Sequence, residues 1–82
     1  MSISRTASRL KKQLALRGVK VLKHDPEDGF SDATLYIAGN IYIQVGYDYV
    51  CVVVEKNDEL YFYECSSRIE GVMSALVKAV NT

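Results

Sequence analysis

The sequence predicts an α+β fold. It reads as a two-layer domain in which a mostly antiparallel sheet of four or five strands carries an N-terminal and a C-terminal helix on one face, in the order α-β-β-β-β-(β)-α. Three observations predict it. Apolar residues recur at helical spacing at both ends of the chain. Four segments rich in Val, Ile and Tyr lie between them. Alternation within those segments separates an aliphatic face from a tyrosine-rich one. With 82 residues the chain reads as one domain, residues 1–82, without the extra layers that surround a deep active site.

The first helix follows from Ile3, Ala7, Leu10 and Leu14, spaced four, three and four apart on one face. Ser2 or Ser4 is placed to cap it, and Gly18 to end it. The opposite face carries Arg5, Arg9 and Lys12, with Lys11 at its flank. Val19 to Lys23 reads as a short strand that joins the sheet or leads up to it. The following stretch from His24 to Asp32 holds Pro26, Gly29 and the acids Asp25, Glu27, Asp28 and Asp32, a composition that opposes regular structure.

Strands are expected over 33–38, 41–45, 49–55 and 59–64. Side chains alternate faces along a strand, so loop length decides which residues share a face. A three-residue loop Ala38-Gly39-Asn40 pairs Ile37 with Ile41 and Leu35 with Ile43, with Asn40 left-handed. An even loop around Tyr47-Asp48 pairs Val45 with Val50. A three-residue loop Lys56-Asn57-Asp58 sets Val54 beside Leu60 and Val52 beside Phe62. The core face then reads Leu35, Ile37, Ile41, Ile43, Val45, Val50, Val52, Val54, Leu60 and Phe62. The other face reads Thr34, Tyr36, Tyr42, Gln44, Tyr49, Cys51, Val53, Tyr61 and Tyr63.

The last helix opens with Ser67 and Glu70 at capping-box spacing. It continues with Ile69, Val72, Met73, Leu76, Val77 and Val80 on one face. Gly71, Ala75 and Ala79 form a row of small side chains that would admit a second helix.

Net charge is zero, yet the charges are segregated. Residues 1–24 hold seven bases and no acid; residues 25–64 hold nine acids and one base. Such a chain attracts a charged partner at either pole unless the poles meet in the fold and neutralise each other.

Catalytic chemistry finds little to use. His24 is the only histidine, and Cys51 and Cys65 lie in strand contexts that do not lower a thiol pKa. Their spacing does not make a zinc site. The acids after His24 miss the spacing of a calcium loop, and no phosphate loop or dinucleotide fingerprint is present. No catalytic residue, metal or cofactor is therefore assigned. The apolar run Val50–Val54 is far short of the roughly 20 residues that cross a bilayer. Two cysteines without a secretory leader point to free thiols in the cytoplasm.

The element order resembles that of double-stranded RNA-binding domains, which also place two helices on one sheet face. That family reads RNA through a lysine cluster at the start of its last helix and a Gly-Pro-x-His loop. Here the last helix opens Ser67-Arg68-Ile69-Glu70, and no such loop occurs. In size, absence of catalytic motifs and charge layout, the chain resembles small inhibitors of bacterial defence encoded by phages and mobile elements, such as anti-CRISPR proteins. That resemblance implies a non-enzymatic protein that occludes a partner's surface.

These readings lead to a protein-binding module. Its expected contact surface is Tyr36, Tyr42, Tyr49, Tyr61 and Tyr63, with Asp25, Glu27 and Asp28 at the edge, because tyrosine combines large contact area with a polar tip. The alternative is a nucleic-acid-binding protein that grips phosphates with Arg5, Arg9, Lys11 and Lys12. A homodimer would form through the tyrosine face or the Gly71/Ala75/Ala79 row.

Overall fold

The computed structural model describes residues 2–28 and 32–82, and follows them through seven elements. These are α1 (Ile3–Leu16), β1 (Lys23–Asp25), β2 (Ala33–Ala38), β3 (Ile41–Val45), β4 (Val50–Lys56), β5 (Glu59–Cys65) and α2 (Ile69–Val80). Each strand pairs antiparallel with its neighbours in sequence, giving a five-stranded meander in the order β1-β2-β3-β4-β5. The α+β fold with both helices on one sheet face is therefore the fold observed. Gly29, Phe30 and Ser31 of the acidic loop lie outside the described residues.

Helix α1 begins where Ser2 accepts a hydrogen bond from the Arg5 amide at 3.4 Å. It ends at Arg17, after which Gly18 takes φ +79°, the left-handed position that glycine occupies without strain. Ala7, Leu10 and Leu14 are fully buried over β2 and β3. Helix α2 lies over β4 and β5 and buries Ile69, Val72, Ala75, Leu76 and Ala79. Between the helices and the sheet these residues meet Leu35, Ile43, Val45 and Val52, all fully buried. Each such side chain contributes about 1.5–3 kcal/mol when removed from water.

Four local expectations need correction. The strand nearest α1 is Lys23–Asp25 and not 19–23; Val19 and Val21 instead pack against the edge of the core. The capping box of Ser67 and Glu70 is not formed. Arg68 is the N-cap residue of α2, Ser66 Oγ accepts from the Arg68 amide, and the Ser67 carbonyl accepts from Arg9. Glu70 still sits in the first turn, where the helix dipole favours an acid. Ala75 and Ala79 are buried against the protein's own core, so the small-residue row offers no surface to a second helix.

The fourth correction concerns the hairpins. Ala38 pairs with Ile41, and the register shifts between Tyr36 and Ala38. A bulge thus absorbs the odd residue at Ile37, and Leu35 still faces Ile43 as the core requires. Asn40 is not left-handed; it is tied to Glu55 by its carbonyl and side-chain amide. The β4–β5 loop is shorter than expected. Asn57 and Asp58 alone turn the chain, with φ +54° and +64°, and Lys56 pairs with Glu59. Positive φ at both central residues is the signature of the hairpin turn whose twist matches that of the strands. One residue fewer in the loop moves every β5 side chain to the opposite face.

Candidate functional site on the open sheet face

Among the described residues, neither helix covers the second face of the sheet. The strand registers arrange its side chains in rows that cross the strands. One row spans all five: Lys23, Tyr36, Tyr42, Val53 and Phe62. Beside it run Asp25, Thr34, Gln44, Cys51 and Glu64, and on the other flank lie Glu55 and Leu60.

The first row forms a small apolar cluster outside the main core. Tyr42 and Phe62 flank Val53 on its two neighbouring strands, and Val53 is fully buried although no helix lies above it. The Tyr36 and Tyr42 rings sit 5.8 Å apart and tilted by 43°, an attractive aromatic geometry. Lys23 Nζ lies 5.6 Å from the Tyr36 ring centroid and 3.5 Å from Asp25. Towards β5 the cluster opens to solvent, where Phe62 is 58% and Leu60 50% exposed.

Acids border this apolar centre. Burial, then the charges of Glu64 and Asp32, push the Cys51 thiol above its ordinary pKa. Burial, then Glu55, raises Tyr42 in the same way. In both, burial is the larger cause and the nearby acids the smaller one; the face carries Asp25, Glu55 and Glu64, with Lys23 as its base.

Tyr36 and Tyr42 are on this face as expected. Tyr61 and Tyr63 are not: the two-residue turn places them on the helix side, half-buried against the core. There the Tyr61 hydroxyl donates to Glu59 at 3.0 Å, and the Tyr63 hydroxyl bonds to Thr82 Oγ1. Tyr49 lies in the β3–β4 turn with its ring against Gly46, where an added Cβ would run into the ring. Asp25 borders the open face, and Glu27 and Asp28 lie exposed in the loop beyond β1. Leu60 and Phe62 take the places expected for Tyr61 and Tyr63. The signal that identifies them is the Asn57-Asp58 pair, two residues that tolerate the left-handed region side by side.

The charge poles touch where Lys23 pairs with Asp25 at 3.5 Å. The two helices and their flanks, residues 2–20 and 68–82, hold eight bases and one acid, whereas residues 21–67 hold nine acids and two bases. The helices and their flanks are thus the basic part of the chain, and the strands with their loops the acidic part. Arg5, Arg9, Lys11 and Lys12 are exposed on α1. Arg9 donates to the Ser67 carbonyl at 2.9 Å, which ties α1 to the start of α2.

Among the described residues, His24, Cys51 and Cys65 are not brought together. His24 faces the helix side beside Leu35, while Cys51 faces the open side. Strands lie about 4.8 Å apart, so β1 is roughly 14 Å from β4 and 19 Å from β5, beyond any Cys–His contact. Both thiols are free, and burial raises the Cys65 pKa as well. Among the described residues no cluster of three His, Cys, Asp or Glu side chains stands ready for a metal ion, and no helix is long and apolar enough to cross a membrane. In comparisons with protein-family models, curated proteins and solved structures, nothing matches this chain.

Proposed function

We propose that this protein is a binding module that docks a protein partner on its open sheet face. The observation that carries the reading is an aromatic and aliphatic row left uncovered by the protein's own helices, with Phe62 58% and the neighbouring Leu60 50% exposed and an acidic border around it. Apolar centres with polar rims are the anatomy of protein interfaces, and aromatic anchors supply most of the binding energy in them. The matching partner surface is basic at its edge and apolar at its middle. Occlusion of a partner's working surface, the mode of small phage and mobile-element inhibitors of bacterial defence, is the use to which a chain of this size would put such a face.

The test is capture by the immobilised protein from lysate of its source cell. Wild type is expected to retain a protein that Tyr36→Ala with Tyr42→Ala loses, with retention falling as salt screens the acidic border. Equal capture by the double variant, folded by circular dichroism, contradicts the reading.

The helix layer supports a second reading, phosphate contact by Arg5, Arg9, Lys11 and Lys12, because eight of the ten bases lie on that layer. It predicts a gel-shift complex that weakens steeply with salt. Absence of a complex at low salt contradicts it.

A further inference from the structure

Strand β5 is an edge, and its backbone geometry specifies what can pair with it. The Glu55 amide donates to the Asn40 carbonyl at 2.8 Å, and the Gly46 amide donates to the Tyr49 carbonyl at 2.9 Å. Odd-numbered residues of β4 therefore direct their backbone groups to β3, and even-numbered ones to β5. The β5 partners of Val50, Val52, Val54 and Lys56 are Cys65, Tyr63, Tyr61 and Glu59. That leaves Leu60, Phe62 and Glu64 with N–H and C=O groups pointing out of the sheet. Among the described residues nothing pairs these six groups.

Of the usual protections of an edge, β5 keeps only charged residues towards its ends, Glu59 and Glu64. Natural edges are shortened, bulged, or broken by proline or lysine. The other edge, β1, is three residues long and carries Lys23. By contrast β5 runs seven residues without proline, lysine or bulge, and its middle is Leu60-Tyr61-Phe62-Tyr63.

We infer that β5 pairs with β5 of a second copy of this chain, antiparallel about a two-fold axis at Phe62. The sequence around Phe62 is nearly self-complementary. In this register Phe62 faces Phe62 of the other copy, Leu60 faces Glu64, and Tyr61 faces Tyr63. All six outward groups of each strand find partners, giving six hydrogen bonds across the junction. A shift of two residues in either direction leaves some of them unpaired. No like charges stand opposite each other, since Glu64 meets Leu60 and Glu59 meets Cys65. A two-fold axis normal to the sheet keeps all four helices on one side. The row from Lys23 to Phe62 then continues into the same row of the second copy, and Phe62–Phe62 closes the exposed end of the aromatic cluster. This assembly leaves the open face uncovered, so it stands or falls separately from partner capture, which is tested by variants on β2 and β3.

Sedimentation equilibrium of the wild-type chain at about 100 µM, roughly a hundredfold above a micromolar Kd, is expected to give twice the chain mass of 9.2 kDa. Phe62→Lys sets two ammonium groups against each other at the axis. It is expected to sediment at the single-chain mass with an unchanged far-ultraviolet spectrum, because Phe62 is mostly exposed and its backbone makes no bond within the chain. Hydrogen exchange on the wild type gives a readout independent of any variant. The amides of Leu60, Phe62 and Glu64 are expected to exchange roughly tenfold more slowly at about 100 µM than at about 0.1 µM. Wild type at the single-chain mass overturns the inference. So does a Phe62→Lys protein that still dimerises, or amide exchange at the three positions that does not change with concentration.

Discussion

Val53 offers a quantitative test of the apolar cluster on the open face. Val53→Ala removes two carbons from a side chain that is fully buried between Tyr42 and Phe62. At about 0.8 kcal/mol per buried CH₂ group the transfer loss is roughly 1.6 kcal/mol. Residual cavity and lower strand propensity bring the total to about 2–3 kcal/mol. For a domain of this size, 1 kcal/mol corresponds to about 4–8 °C in Tm, so the midpoint is expected to fall by roughly 8–24 °C. Val77 on α2, 58% exposed, serves as the control. Val77→Ala improves helix propensity and removes little buried area, so its expected effect stays within about 0.5 kcal/mol of zero. Urea denaturation of the three proteins reads these differences as shifts in midpoint at constant slope. A cost below about 0.5 kcal/mol for Val53→Ala would mean that Tyr42 and Phe62 do not close over the residue, and the open face would lose its apolar centre.

Two further predictions address the turn and the thiols. Asp58→Gly relieves a left-handed residue at the β4–β5 turn and is expected to stabilise the protein by about 0.5 kcal/mol, whereas Asp58→Val is expected to cost more than about 1 kcal/mol; thermal melts showing the opposite order contradict the two-residue turn. Burial holds Cys51 and Cys65 above the ordinary thiol range, so the folded chain keeps protons that the unfolded chain releases above about pH 8.5. Stability from this source is complete below that pH and declines as pH rises through the folded-state values. Cys51→Ala with Cys65→Ala is expected to flatten the fall in Tm between about pH 8.5 and 10, and parallel curves for the two proteins contradict the assignment.

The layers of this fold were legible in the sequence because burial patterns have a period. Leu10 and Leu14 on α1, and Leu35, Ile43, Val45 and Val52 in the sheet, lie where spacing alone places them, all fully buried. Register at the last hairpin was not legible from hydrophobicity. A three-residue loop puts Leu60 and Phe62 inside and Tyr61 and Tyr63 outside, which satisfies any scale that ranks leucine and phenylalanine above tyrosine. The structure takes the other parity because Asn57 and Asp58 form the turn whose twist suits a hairpin. Tyrosine accommodates this by packing its ring on the core margin while its hydroxyl reaches Glu59 or Thr82. Turn chemistry outweighed side-chain polarity. The bulge at Ile37 teaches the same lesson in reverse, since there the core pattern prevailed and the backbone took up the extra residue. Charge segregation between helices and strands was visible only as segregation along the chain.

The most direct test of the account is the pairing of β4 with β5 in solution. Residues opposite each other without mutual hydrogen bonds bring their Cα atoms to about 4.5 Å, close enough for strong contacts between Hα protons in a nuclear Overhauser spectrum. The account predicts such contacts for Cys51 with Glu64, Val53 with Phe62 and Glu55 with Leu60. Cross-strand pairing of Val54 with Leu60 and Val52 with Phe62 would contradict it, returning Leu60 and Phe62 to the core and Tyr61 and Tyr63 to the surface.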